Sequence, residues 1–221
     1  MPMGLLGRKL GITQVNDQEG NRIAVTLIEA GPCLVVQKKT VEKDGYAALK
    51  LGFGAKKATR TTKALRGVYA KIKAEPRRLQ KEFRIPSEDL GKYEEGKEIR
   101  VDEIFTLGQI IDVKGRTKGH GFSGVIKRHH MKGNDAGHGT HEFFRHGGSI
   151  GTRTWPGYVN KNKRMPGHDG DKRITMPNLT VIQILADKNC ILVSGAVPGA
   201  NNAFVEILPS ATRKPKAKPA N

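Results

Sequence analysis

The middle of the chain contains sixty residues, 114–173, in which neither helical nor strand periodicity is sustained. All seven histidines and the only tryptophan, Trp155, lie within this extension. It has 13 Lys and Arg against 4 Asp and Glu, or +9, which is half of the formal net charge of +18. A compact domain does not hold so long an irregular segment unless the segment is functional or disordered. Which of these two descriptions holds decides what the protein does.

The overall charge restricts the class of partner. A pI near 10.1 favours a polyanion, because Lys and Arg placed on phosphates release condensed counterions. A membrane surface is disfavoured, since there is no apolar run of membrane length, no basic amphipathic helix with an aromatic face and no lipidation motif. Cys33 and Cys190 both lie in apolar runs, which is typical of reduced, buried thiols. We expect a cytoplasmic, polyanion-binding protein without a signal peptide.

The sequences on both sides of the extension predict a mainly β fold. Short apolar, β-branched runs are separated by turn residues. They occupy residues 22–29, 33–37, 46–53, 99–105 and 109–113 before the extension, and residues 179–185, 190–194 and 203–208 after it. Strands from both sides are needed to close one barrel, so residues 1–113 and 174–209 are predicted to form it. The extension is then a loop of the barrel and not a second domain.

A small α+β insertion is predicted at about residues 55–97. Its helix is indicated by apolar residues at helical spacing, namely Leu65, Val68, Tyr69 and Ile72. Its mixed charges indicate a solvated surface, with RNA contact through Lys56, Lys57 and Arg60 as the alternative. The chain ends in a basic, proline-interrupted tail, residues 210–221.

The spacing Gly119-x-Gly121-x-x-Gly124 follows a predicted strand and fits the dinucleotide-binding fingerprint. That fingerprint needs a helix and then a parallel strand, so that a pyrophosphate meets the helix N-terminus. Only residues 125–132 have room for a helix, and no parallel strand is predicted after them. These glycines are instead expected to allow the backbone to approach a partner closely.

Four residues in the extension invite a metal-binding interpretation, namely His138, His141, Glu142 and His146. The helical zinc-protease pattern needs a second His three residues after the Glu, and Arg145 stands at that position. Neighbouring glycines also disfavour a rigid helix. We therefore expect no metal, no cofactor, no small-molecule substrate and no catalytic set. A histidine-rich, metal-dependent RNA-processing enzyme is the alternative hypothesis.

A nucleic-acid interface explains the extension better. Its cations recur singly and in pairs among glycines and isolated aromatic residues, a pattern that pairs cations with phosphates and stacks rings on bases. A disordered basic loop would be poor in the aromatic residues found here. The extension is therefore predicted to take its conformation from RNA.

The identity and spacing of several residues before and within the extension resemble the signature of the universal large-subunit ribosomal protein three family, bacterial type. The residues that carry it are Phe105, Asp112, Gly115, Thr117, Gly119-His120-Gly121, Gly124 and Arg128. Family-like segments also occur at residues 4–13, 147–151, 164–168 and 195–200. The resemblance covers nearly the whole chain.

The resemblance implies a six-stranded, translation-protein-like β-barrel with a long basic extension. It implies a non-catalytic protein that binds large-subunit rRNA early in assembly, beside other large-subunit proteins. Its extension would run through rRNA and support the peptidyl-transferase region during translation. Some bacterial relatives carry a methylated Gln where this chain has Thr154, and eukaryotic relatives place a tryptophan near the position of Trp155.

The residues expected to contact rRNA are the cations and histidines of the extension together with its tryptophan. They are Lys114, Arg116, Lys118, His120, Lys127, Arg128, His129, His130, Lys132, Arg145, His146, Arg153, Trp155, Lys161, Lys163, Arg164, His168, Lys172 and Arg173. Residues 151–158 are expected to form the tip nearest the catalytic RNA.

Overall fold

The computed structural model describes residues 3–16 and 20–213, and these residues are mainly β, as predicted. Parts of two predicted segments, residues 17–19 of a turn and residues 214–221 of the tail, lie outside the described residues. The strands are β1 (Leu5–Asn16), β2 (Arg22–Glu29), β3 (Cys33–Lys39), β4 (Ala48–Ala55), β5 (Arg77–Arg84), β6 (Glu98–Ile99), β7 (Ile110–Arg116), β8 (Gly119–Ser123), β9 (Gly167–Gly170), β10 (Arg173–Leu185), β11 (Cys190–Ser194) and β12 (Phe204–Pro209).

The helices of the described residues are short. They are α1 (Val41–Asp44), α2 (Lys63–Lys71), α3 (Val101–Ile104) and α4 (Val125–His129), with 3₁₀ helices at Ala58–Arg60, Ser87–Lys92, His141–Arg145 and Ala186–Lys188. The longest α-helix, α2, has nine residues. No helix in the described ranges has the length and apolar character needed to cross a membrane.

Six strands form a closed barrel in the order β1, β12, β7, β10, β11, β2, with β2 pairing back onto β1. All six neighbouring pairs are antiparallel. Aliphatic side chains such as Leu5, Ile28 and Ile111 are fully buried, which explains why β-branched and leucine-rich runs form these strands. The barrel therefore depends on strands from both sides of the extension.

A second antiparallel sheet has the order β5, β4, β3, β6. It takes its strands from residues inside and outside the predicted insertion, because β3 ends before residue 55, β4 ends at Ala55 and β6 begins at Glu98. Val35 and Leu49 of this sheet belong to the same hydrophobic cluster as Leu5 of the barrel. Helix α2 packs through Tyr69 on Leu34 and Val36, which form a separate small cluster.

Several elements differ from their predicted bounds. Strand β1 has no predicted counterpart, because glycines and a register shift between Lys9 and Gly11 interrupt its alternation. The strand predicted over residues 99–105 is instead the end of β6 followed by α3. Strands β7 and β10 reach three and six residues further toward the extension than predicted, and they pair there at Arg116 and Arg173.

The described part of the chain divides into two compact units. The first contains the barrel and the second sheet, up to Arg116 and again from Arg173. The second unit is Thr117–Lys172 and contains β8, α4 and β9.

Candidate nucleic-acid interface

The second unit has almost no interior of its own. Of its 56 residues, only Ser123, Val125 and Gly170 are buried. Every residue from position 141 to position 155 is exposed. A segment that buries so little apolar surface cannot offset its conformational entropy in the way that a globular core does. The unit therefore has little apolar burial of its own to stabilise it.

The exposed apolar side chains of the described residues are concentrated in this unit. It holds eight of the twelve large hydrophobic side chains that are exposed, and Trp155 is 85% exposed. The eight are Phe122, Phe143, Phe144, Ile150, Trp155, Tyr158, Val159 and Met165. Exposed aromatic rings interleaved with cations are the combination that stacks on bases while pairing with phosphates.

A short antiparallel pair closes the unit at its two chain ends. Strand β8 pairs with β9, with Gly119 opposite Gly170 and Phe122 opposite His168. The Thr117 N–H donates to the carbonyl of Lys172 at 2.9 Å, and the Lys172 N–H donates to Thr117 Oγ1 at 3.1 Å. Glycine is required at position 170, where φ is +73° and an added Cβ would meet the backbone of Lys118.

Helix α4 directs two basic side chains back into the unit. Arg128 Nη1 donates to the Met165 carbonyl at 2.9 Å, and His129 Nε2 lies 3.1 Å from the same oxygen. Gly167 makes room for this contact, since an added Cβ would lie 2.5 Å from Arg128 Nη1. From the sequence alone, Lys127, Arg128 and His129 are all predicted to contact RNA. In the structure Lys127 is exposed, whereas Arg128 and His129 are half-buried.

The loop after α4 is held by polar contacts and not by a core. Asn134 donates from its backbone N–H to the Phe144 carbonyl and from Nδ2 to the Phe143 carbonyl. The Phe143 and His146 rings meet edge to face, with centroids 5.2 Å apart. These contacts leave the outer faces of Phe143 and Phe144 exposed to solvent.

The segment predicted as the tip forms a turn fixed by a hydroxyl. Thr152 Oγ1 donates to the Trp155 carbonyl at 2.6 Å, and the Trp155–Pro156 peptide is cis. A hollow of about 210 Å³ opens beside it, lined by Ile150, Arg153 and Tyr158 among others. Arg153 and the rings of Trp155 and Tyr158 therefore lie in the same exposed segment.

The nineteen residues predicted to contact RNA divide between the two units. Lys114, Arg116 and Arg173 belong to the barrel strands, and the other sixteen belong to the second unit. Sixteen of the nineteen are exposed, whereas Lys114, Arg128 and His129 are half-buried.

Arg173 and His120, two members of this set, have contacts with carboxylates that define their surroundings. Arg173 Nη2 lies 2.8 Å from Glu206 Oε2, and His120 Nδ1 lies 3.4 Å from Asp169 Oδ2. In both contacts the Arg or His side chain is exposed and the carboxylate is half-buried, and surface contacts of this kind contribute little to stability.

The topology of the extension does not match the dinucleotide-binding fingerprint. The strand that pairs with β8 is antiparallel, and α4 has only five residues, so no βαβ unit surrounds the three glycines. His138 and His141 both have positive φ, and no three His, Cys, Asp or Glu side chains within the described ranges form a metal-binding group.

Comparison with known proteins gives a consistent result. A family model described as Ribosomal protein L3 matches residues 87–190. The large ribosomal subunit protein uL3 of Sorangium cellulosum is 46% identical over 92% of this chain and 88% of its own length. The uL3 proteins of Brachyspira pilosicoli and Myxococcus xanthus are 46% and 47% identical, over 98% and 94% of this chain and 97% and 92% of their own lengths.

Proposed function

Because this chain belongs to the ribosomal protein L3 family, we propose that it is a non-catalytic, structural component of the cytoplasmic large ribosomal subunit that binds large-subunit rRNA directly. The second unit carries this function, with the flanking residues Lys114, Arg116 and Arg173. The nineteen residues named above are its proposed rRNA contacts.

One observation carries the proposal: a 56-residue unit with three buried residues displays cations and eight exposed apolar side chains together. A protein partner would also cover apolar side chains, but cations are not enriched in this way at the centre of protein interfaces. Phosphates and unstacked bases satisfy both groups at once. RNA is therefore the partner that fits the whole surface.

The same membership supports a wider proposed role. We assign the six-stranded barrel to the translation-protein-like type, with residues 55–97 as its α+β insertion and residues 210–221 as a basic tail. The protein binds rRNA early in subunit assembly, contacts neighbouring large-subunit proteins and supports the peptidyl-transferase region through residues 151–158. RNA gives the extension its final conformation.

The test is a salt titration of binding between the full chain and a large-subunit rRNA transcript. For six to ten phosphate contacts, log affinity should fall with log salt with a slope of about −4 to −9. Replacing Lys127, Lys161 and Lys163 by Gln should reduce the steepness by about 2 to 3. A matched control replaces the exposed Arg22, Lys43 and Lys188 by Gln. A flat plot for the unmodified protein would contradict the proposal.

A further inference from the structure

A second concentration of positive charge lies outside the extension. Residues 56–73 contain seven Lys and Arg and no Asp or Glu. Over residues 55–113 as a whole the positive charge is largely balanced, because eight of the ten acidic residues there lie between positions 82 and 103. The charge of the insertion is therefore segregated and not mixed.

The structure places these cations on one element and its flanks. We define the α2 surface as Lys57, Arg60, Lys63, Arg66, Lys71 and Lys73, all of which are exposed. None of the six forms an ion pair with any residue in the ranges 3–16 and 20–213. The next cations along the chain behave differently, since Arg77 pairs with Glu98 and Lys81 with Glu206.

Helix α2 holds these cations on a fixed support. Tyr69 is 2% exposed and packs on Leu34 and Val36 of the second sheet. Its hydroxyl accepts a hydrogen bond from Gln80 Nε2 at 2.6 Å, which ties the helix to β5. Val68 and Tyr69 of α2 and Ile72 just after it therefore pack within the first unit, while the cations of the helix face solvent.

The chemistry of the α2 surface points to phosphates. Residues 56–73 include none of the exposed large hydrophobic side chains of the described chain. A protein interface would bury apolar and aromatic anchors beside the cations, and base recognition would need rings. Lys63 and Lys71 are separated by about 12 Å along the helix at 1.5 Å per residue, enough to span more than one phosphate.

We propose that the α2 surface is a second RNA-binding surface, which takes the phosphate backbone of an RNA segment distinct from the one bound by the second unit. This inference rests on the proposed function, since it concerns the same rRNA. Binding here depends on backbone shape and charge and not on base identity. The chain thus holds its RNA through two surfaces of different chemistry.

The experiment uses the full chain and a large-subunit rRNA transcript. Lys63, Arg66 and Lys71 are replaced together by Gln, which has a helix propensity close to that of Lys and Arg. We expect the salt slope to become shallower by about 2 to 3, or about 0.7 to 0.9 for each lost phosphate contact. The charge-conserving variant Lys63→Arg, Arg66→Lys, Lys71→Arg should keep the original slope, and circular dichroism should show an unchanged helix signal.

Hydroxyl-radical footprinting separates the two surfaces. The α2 variant should lose backbone protections that the Lys127, Lys161 and Lys163 variant retains. The inference is overturned if the affinity of the unmodified protein falls steeply with salt and the α2 variant has the same salt slope as the Arg22, Lys43 and Lys188 control variant. It is also overturned if the α2 variant keeps every protection but no longer joins the assembling subunit, because the partner would then be a protein. A flat plot for the unmodified protein would instead reject the proposed function itself.

Discussion

At the scale of single residues, the buried position of Cys33 makes its thiol unreactive. The side chain is fully buried in the main hydrophobic cluster, and its Sγ lies 3.3 Å from the Leu6 carbonyl. Desolvation by burial raises the pKa of Cys33 from 9.0 to about 12. Because the thiolate is the reactive form, this cysteine is a core residue and not a redox site.

We expect the folded protein to lose stability above pH 9 because of Cys33. The unfolded chain releases the thiol proton near pH 9 and the folded chain does not, so the unfolded state binds fewer protons and the free energy of unfolding falls as pH rises. The loss should reach about 1.4 kcal/mol at pH 10 relative to pH 7. Urea unfolding at both pH values should show a loss that is larger by about this amount in the unmodified protein than in Cys33→Ala, because both proteins keep Cys190, whose pKa is also raised by burial.

A second residue, Asp112 on strand β7, accepts hydrogen bonds from two other segments of the chain. Its Oδ1 accepts from the Asn178 N–H at 2.9 Å, and its Oδ2 accepts from the Ala211 N–H at 3.2 Å. Asp112→Ala leaves both donors without their acceptor and should cost about 3 kcal/mol of unfolding free energy. Asp112→Asn should cost less, since its amide retains one acceptor oxygen. The exposed Asp187→Ala is the control, and a loss below about 0.5 kcal/mol in Asp112→Ala would refute this role.

At the scale of elements, the contacts of α4 stabilise the pairing of β8 with β9. We expect Arg128→Ala to lower hydrogen-exchange protection of the β8 and β9 amides by about 1 kcal/mol, because the Met165 carbonyl loses a charged donor. The adjacent Lys127→Ala removes a similar exposed cation without that contact. Equal protection in both variants would show that the Arg128 contact does not hold the pair.

The elements differ in how far the sequence predicts them. Strands β2 and β11 have the predicted bounds, because each is a continuous apolar run ended by turn residues. Strands β8 and β9 were not predictable from periodicity, since glycine occupies four of their nine positions and leaves little side-chain pattern. The sequence identifies where the candidate interface lies, but not which cations, such as Arg128, are engaged inside it.

At the scale of the whole molecule, strand pairing was the least predictable property. Strands β3 and β4 have the same composition as barrel strands, yet they pair with β5 and β6 in the second sheet. Their sheet is set by contacts between residues far apart in the chain, such as Cys33 with Ile99, and local propensity carries no information about these. The sequence predicts mixed charges for the insertion because its acidic residues balance the cations of α2 along the chain, and only the structure shows that these cations are exposed together.

We expect the first unit to fold without the second. Arg116 and Arg173 stand directly opposite each other in the β7–β10 pair, so Thr117–Lys172 can be replaced by an Asn-Gly turn. The product should keep a mainly β circular dichroism spectrum and a cooperative thermal transition, while its affinity for the rRNA transcript falls sharply. A product without a cooperative transition would show that the extension belongs to the folding core.

The pairing of β7 with β10 also affects the entropy of folding. The seam between β7 and β10 can form only when the two ends of a 56-residue loop have met. Loop-closure entropy rises by about 0.6 kcal/mol for each doubling of loop length, so this loop costs about 3 kcal/mol more than a two-residue turn. A ligand that binds the folded chain and gathers the loop recovers part of that entropy. If RNA binds as proposed, its binding and the closure of the barrel are therefore thermodynamically linked.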